Sequence, residues 1–100
     1  MRMLMNISFP TDIFNNAVRN GTVGPKIQSI LEELKPESVY FTEQDGLRGA
    51  VLVVNLDDPA KIPFLAEPWF LSFNATVQFK IAMTPDDLMR AGLDGLGKKW

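Results

Sequence analysis

The chain has 100 residues, 46% of them hydrophobic and 22% charged, with a net charge of −2 and a pI near 5.0, enough for one domain with a modest core and too balanced for disorder. The slightly acidic charge and scattered Lys and Arg argue against nucleic acid or an anionic membrane as partner, and the pair Lys98-Lys99 reads as a solvated tail. With no cysteine and no histidine, disulfides, thiolate chemistry, His-based triads and the commonest metal ligands are all excluded, and we expect no metal and no cofactor. No run approaches the ~18–20 apolar residues of a membrane span, so a cytoplasmic protein is the default expectation.

Residues 3–9 alternate, with Met3, Met5, Ile7 and Phe9 on one side and Leu4, Asn6 and Ser8 on the other, which predicts a strand ended by Pro10. Residues 12–34 read as helix with a fault at Asn20-Gly21-Thr22-Val23-Gly24. Thr11 or Asp12 can cap the first half. Pro25 suits the start of the second, whose buried stripe is Ile27, Ile30, Leu31 and Leu34. A glycine-rich turn before a helix can hold an anion. This one lacks a phosphate-loop ending and follows no strand, so it reads as a helix break.

Residues 38–43 and 47–56 are predicted strands joined by a turn at Gln44-Asp45-Gly46, with Asp-Gly the hairpin signal. The second is apolar throughout Ala50–Val54, which predicts a central strand with both faces covered. Asp57-Asp58-Pro59 opens a helix that Pro63 and Pro68 should shorten or segment. Residues 75–83 alternate strictly, with Val77, Phe79 and Ile81 opposite Thr76, Gln78 and Lys80. Thr84-Pro85-Asp86-Asp87 starts a last short helix, whose end Gly92, Gly95 and Gly97 should fray.

The order strand, broken helix, strand, strand, helix, strand predicts a ferredoxin-like βαββαβ α+β domain. Its four-stranded antiparallel sheet carries helices on one face, with strands one and three central. The other face holds Leu4, Tyr40, one side of the third strand and Ala82, among Asn6, Ser8, Thr42, Thr76, Gln78 and Lys80. Cover for the apolar part of that face is expected from a second copy, which predicts a homodimer or higher oligomer.

The stretch Val51-Leu52-Val53-Val54-Asn55-Leu56-Asp57, then Phe64–Phe70 with its Pro68-Trp69-Phe70 step, then Ala75-Thr76-Val77-Gln78-Phe79 resembles the dimeric α+β barrel superfamily. Within it, the likeness is to muconolactone isomerase-like and related small bacterial proteins. The resemblance covers the second half of the chain, and the first half agrees in element order. It implies a homo-oligomer with a small-molecule pocket by the sheet, and it transfers no catalytic residue.

Three groups are candidates for chemistry. The polar row Asn6, Ser8, Tyr40, Thr42, Gln78 and Lys80 either lines a pocket for a small organic acid or lactone or forms the wet part of a dimer interface. Arg48 either binds a carboxylate or pairs with Glu43 across the hairpin. In Glu67-Pro68-Trp69-Phe70 the aromatics either wall an apolar pocket beside a Glu67 base or are core. Two functions follow. One is a non-catalytic small-ligand module. The other is a cofactor-independent isomerase or proton-transfer enzyme, with Glu67 or Glu43 as base and Lys80, Arg48 or Tyr40 stabilising an enolate.

Overall fold

Alternation of apolar residues drives the strands. In the computed structural model, which describes residues 1–100, β1 spans Arg2–Ser8, and Met3, Met5 and Ile7 on one side of it are buried. Helices α1 (Thr11–Arg19) and α2 (Val23–Leu34) follow. Strands β2 (Ser38–Gln44) and β3 (Leu47–Asn55) form a hairpin. A 3-10 turn over Pro59–Lys61 leads into α3 (Ile62–Phe73), and β4 (Thr76–Ile81) completes the sheet. Two short helices, α4 (Pro85–Arg90) and α5 (Leu93–Lys99), come after it.

All pairings are antiparallel and the order is β2-β3-β1-β4, with the first and third strands central as expected. This is an α+β arrangement with one open sheet, and its order fits a ferredoxin-like fold. The register places Met3 opposite Val54, Met5 opposite Leu52 and Ile7 opposite Ala50. These six residues form the floor of the core under α1–α3. Its centre is aromatic: Phe9 lies 5.0 Å from Phe14, 5.2 Å from Phe73 and 6.0 Å from Trp69 between ring centroids. Such pairs add about 0.5–1.5 kcal/mol each beyond the area they bury.

Local expectations hold at most joints. The Asp45-Gly46 turn has positive φ at both residues, 52° and 81°, as a two-residue hairpin of the primed kind requires. The helix break falls at Gly21, where φ is 78° and the Asn20 side chain accepts from the Thr22 N–H and hydroxyl. Thr84 caps α4 reciprocally with Asp87.

Four details differ. Neither Thr11 nor Asp12 caps α1: Pro10 is its N-cap residue, and Asp12 accepts from the neighbouring Ile13 N–H instead. Helix α2 begins at Val23, two residues before Pro25, because Pro is tolerated anywhere in the first turn, where N–H groups have no partner. Helix α3 runs unbroken through Pro68. Its apolar side is anchored by Leu65, Ala66, Trp69 and Phe73, all buried, and that burial outweighs the loss of one backbone hydrogen bond. Finally, the glycines after α4 do not merely fray it. Gly92, at φ 73°, ends one helix and starts another, and α5 continues across Gly95 and Gly97.

Candidate functional site

Side-chain parity settles which residues share the uncovered face. Reading across from β4 to β2, one row is Lys80, Leu4, Val53 and Ser38; the next is Gln78, Asn6, Val51 and Tyr40; the third is Thr76, Ser8, Gly49 and Thr42. The register thus puts Asn6, Ser8, Tyr40, Thr42, Gln78 and Lys80 on one face, spread over three rows. The middle of that face is apolar. Leu4, Val51 and Val53 are half-buried, and Tyr40 at the β2 edge is 65% exposed. Cover on both sides of β3 is thus complete on the helix side, at Ala50, Leu52 and Val54, and partial on the other.

At one end this face is pinned by an exposed, bidentate ion pair. Arg2 donates from Nε and Nη2 to Glu37 Oε2 and Oε1, both at 2.8 Å. The hydrogen bond and charge of Arg2 hold the Glu37 carboxyl below the usual range, and Glu37 raises Arg2 in turn. At the other end lies a polar hollow of about 260 Å³ lined by Asn6, Ser8, Gln44, Asp45, Leu47, Thr76 and Gln78. Asn6 and Gln78 are direct cross-strand partners, as are Ser8 and Thr76.

Gln44, one wall of that hollow, owes its position to Gly49. A Cβ at position 49 would lie 2.8 Å from Gln44 Cγ and 2.8 Å from the Ile7 carbonyl oxygen. Only a residue without a side chain lets Gln44 lie across β3. From there Gln44 Oε1 accepts from the Ser8 hydroxyl at 3.4 Å, and Nε2 donates to the Ala50 carbonyl at 3.4 Å. Neither residue stood out in the sequence, where Gln44 reads as part of the turn. The signal was present nonetheless: a two-residue Asp-Gly turn requires Gln44 to pair with Leu47, and parity then puts Gln44 on the face of Thr42.

The other candidates lie elsewhere. Glu43 and Arg48 do sit opposite one another, but on the helix side of the sheet, and they make no ion pair. Glu43 accepts from the Gly46 N–H at 2.8 Å, closing its own turn. The Arg48 guanidinium stacks 4.7 Å from the Phe14 ring centroid and donates to Asn15 Oδ1 at 2.8 Å. An aromatic face and an amide oxygen replace the carboxylate, because the helix side offers both within the reach of Arg48.

Trp69 is completely buried, and its indole N–H has no hydrogen-bond partner. It is a core residue and not a pocket wall. Glu67 is exposed on the outer side of α3, in the layer on the far side of the sheet from Tyr40 and Lys80. No cavity joins Glu67 or Glu43 to the polar row. Within one chain, the proposed bases and the proposed enolate stabilisers on the open face are thus kept apart.

A second concavity lies on the helix side. It is an open apolar groove of about 620 Å³, walled by Phe14, Val23, Ile27, Leu31 and Phe41, with Gln28 and Glu32 at its rim. No helix of the chain is long and apolar enough to cross a membrane. No known family matches the chain, and no curated protein matches it.

Proposed function

We propose that the chain is a self-pairing module of the dimeric α+β barrel kind, in which two open sheet faces meet and a small polar molecule is held at their polar end. The observation that carries this reading is the zoning of the open face. Leu4, Val51 and Val53 form an apolar centre on the two middle strands, and the hollow of Asn6, Ser8, Gln44 and Gln78 lies directly beside it. Pairing through the apolar zone would remove water from it and roof the hollow, turning a shallow depression into a site closed on two sides.

The hollow suits a small organic acid or lactone. Three carboxamides, on Asn6, Gln44 and Gln78, each offer both a donor and an acceptor. Lys80 projects from the same face as Gln78, two residues along β4 and so about 7 Å away, which supplies a cation for a carboxylate. Tyr40, about 10 Å from Asn6 across two strand spacings, stands at the rim of the apolar zone. A second reading is cofactor-independent proton transfer on such a molecule. It has one observation in its favour: Asp45 is the only carboxylate bordering the hollow.

A titration followed by amide NMR, using small hydroxy acids and lactones, tests the binding reading. Shifts should cluster at residues 6, 8, 44, 76 and 78 and vanish in an Asn6→Ala, Gln78→Ala double variant. Shifts confined to the helix-side groove would refute it. Turnover that is lost in Asp45→Asn while binding persists would select the second reading.

A further inference from the structure

The stretch after β4 stands apart from the body. Neither α4 nor α5 buries a single residue. Met89 is 82% and Trp100 92% exposed, with Leu88, Leu93 and Leu96 about half exposed. The molecule measures 59 × 28 × 19 Å with a radius of gyration of 16.8 Å, against about 13 Å for a compact domain of this length. Residues 84–100 therefore form an arm.

That arm is built to pack on something. On α5 and its C-cap residue, Leu93, Leu96 and Trp100 recur at intervals of three and four, which makes one apolar stripe; Leu88 and Met89 lie on α4, beyond the turn at Gly92. Helix α5 has seven residues, two of them glycine. Isolated helices shorter than about 12–15 residues are marginal in water even when rich in alanine, and glycine is among the poorest helix formers. The fold of α5 thus calls for a surface that the rest of the same chain does not supply to it.

We propose that the arm of one copy docks in the apolar groove of a second copy, and that the exchange is reciprocal. The groove presents Val23, Ile27 and Leu31, one ridge at four-residue spacing along α2, between Phe14 and Phe41. This is the relief that a helix stripe such as Leu93, Leu96 and Trp100 packs against. One charge pair is available as well. Glu32 is the only charged residue lining the groove, and Lys99, 5.6 Å from the Trp100 ring centroid, flanks the arm's stripe, while the Arg48 guanidinium on Phe14 marks the side of the groove that the lysine would avoid.

The area is sufficient. Trp100 carries about 200 Å². With some 50–100 Å² from each of Leu93 and Leu96, the stripe has on the order of 350 Å² to cover. Counting stripe and groove in both copies gives about 1,400 Å², within the range of a stable dimer interface.

Topology favours a second copy over the same chain as the arm's host. The arm leaves from Ile81, on the β4 edge and in the row of Met3. Phe41 lies on the opposite edge, in the row of Ile7 and Ala50. The two points are separated by about 14 Å across the sheet and about 13 Å along it, with the helical layer between. A two-fold axis running along the strands of two facing sheets would instead set the β4 edge of one copy against the β2 edge of the other. Arm exchange does not require that sheet pairing, but it is compatible with it.

The absence of cysteine makes the test clean. A nitroxide is placed on Gln28→Cys, at the groove rim, in an unlabelled chain. This is mixed with 15N-labelled wild-type chain, so that broadening reports contacts between copies only. Selective broadening of the labelled amides of residues 93–100 is expected. In parallel, Leu93→Asp with Leu96→Asp should raise the dimer dissociation constant at least tenfold. Its unfolding midpoint at submicromolar concentration should stay unchanged, because these side chains support nothing in the single chain. An absence of intermolecular broadening, or a dissociation constant unchanged in the arm variant, would overturn the exchange. Val51→Glu separates the two proposals: association that survives this change but is weakened by the arm variant refutes sheet-face pairing and leaves the arm contact standing, whereas the reverse refutes the arm contact.

Discussion

Replacing Gly49 by alanine is the sharpest test of how the polar hollow is built. The new Cβ would meet the Ile7 carbonyl oxygen and Gln44 Cγ, each at 2.8 Å, well inside contact distance. Gln44 can swing away at small cost, since both of its hydrogen bonds are long, at 3.4 Å. The Ile7 carbonyl cannot, because it belongs to β1, which is paired on both sides. Overpacking of this sort costs about 1–3 kcal/mol, and the lower backbone entropy of alanine in the unfolded chain offsets roughly 0.5–1 kcal/mol of it. The net expectation is a loss of about 1–2 kcal/mol, which in a domain of this size lowers the melting point by about 5–15 °C. Calorimetry and urea titration measure it, and Gly24→Ala is the control. Gly24 lies in α2, and a Cβ at that position would have nothing within 4 Å, so that change should be neutral or stabilising by up to about 1 kcal/mol. A Gly49→Ala variant as stable as wild type, with the amide shifts of Ser8 and Gln44 unmoved, would refute the account of the hollow.

Three other changes probe the frame. Trp69→Ala should cost about 3–5 kcal/mol, as removal of a buried aromatic does; Trp69→Phe should cost less than about 1.5 kcal/mol, because it also removes an indole N–H that has no partner, and denaturant unfolding of the two variants decides the point. Gly46→Ala should destabilise the hairpin by roughly 1–2 kcal/mol, since it forces a side chain at φ 81°, and Gly46→Asn should be milder. The Asp87 carboxyl is held below its usual range, first by the Thr84 backbone N–H, which donates to it, and then by the Thr84 side chain. Because the folded state has the lower pKa, the cap's contribution is fully present above the ordinary carboxylate value near 4 and disappears as pH falls through the lowered one. The protection of α4 amides, taken against the intrinsic exchange rate at each pH, should accordingly fall in acid, and Asp87→Asn should remove that dependence.

The frame of the fold was legible because each strand carries its own signal. Alternation fixed the inward faces of β1 and β4, the Asp-Gly pair set the hairpin, and the all-apolar run of β3 marked it as central. The open face followed from parity alone, so that Asn6, Tyr40, Gln78 and Lys80 share it as their spacing requires. What escaped depended on choices that spacing does not encode. Arg48 and Glu43 are neighbours in register, but which partner a long side chain takes depends on what the facing helix offers, here Phe14 and Asn15. Continuity of α3 through Pro68 depends on the burial of Leu65, Trp69 and Phe73, which local propensity cannot weigh. The role of Gln44 depends on a missing side chain one strand away, at Gly49. Helix α5 runs against the intrinsic preference of its glycines, which is why a surface on a second copy is the natural place to look for its support.

Self-pairing is the claim on which the rest depends, and sedimentation equilibrium of the intact chain tests it most directly. A dimer is expected at micromolar concentration. Val51→Glu would bury an unpaired charge against the apolar centre of the partner's sheet, and should weaken the dimer by about 30-fold or more. A wild-type chain that remains monomeric up to 100-fold higher concentration (about 100 μM, where ΔG of association would be weaker than roughly −5.5 kcal/mol) would contradict it.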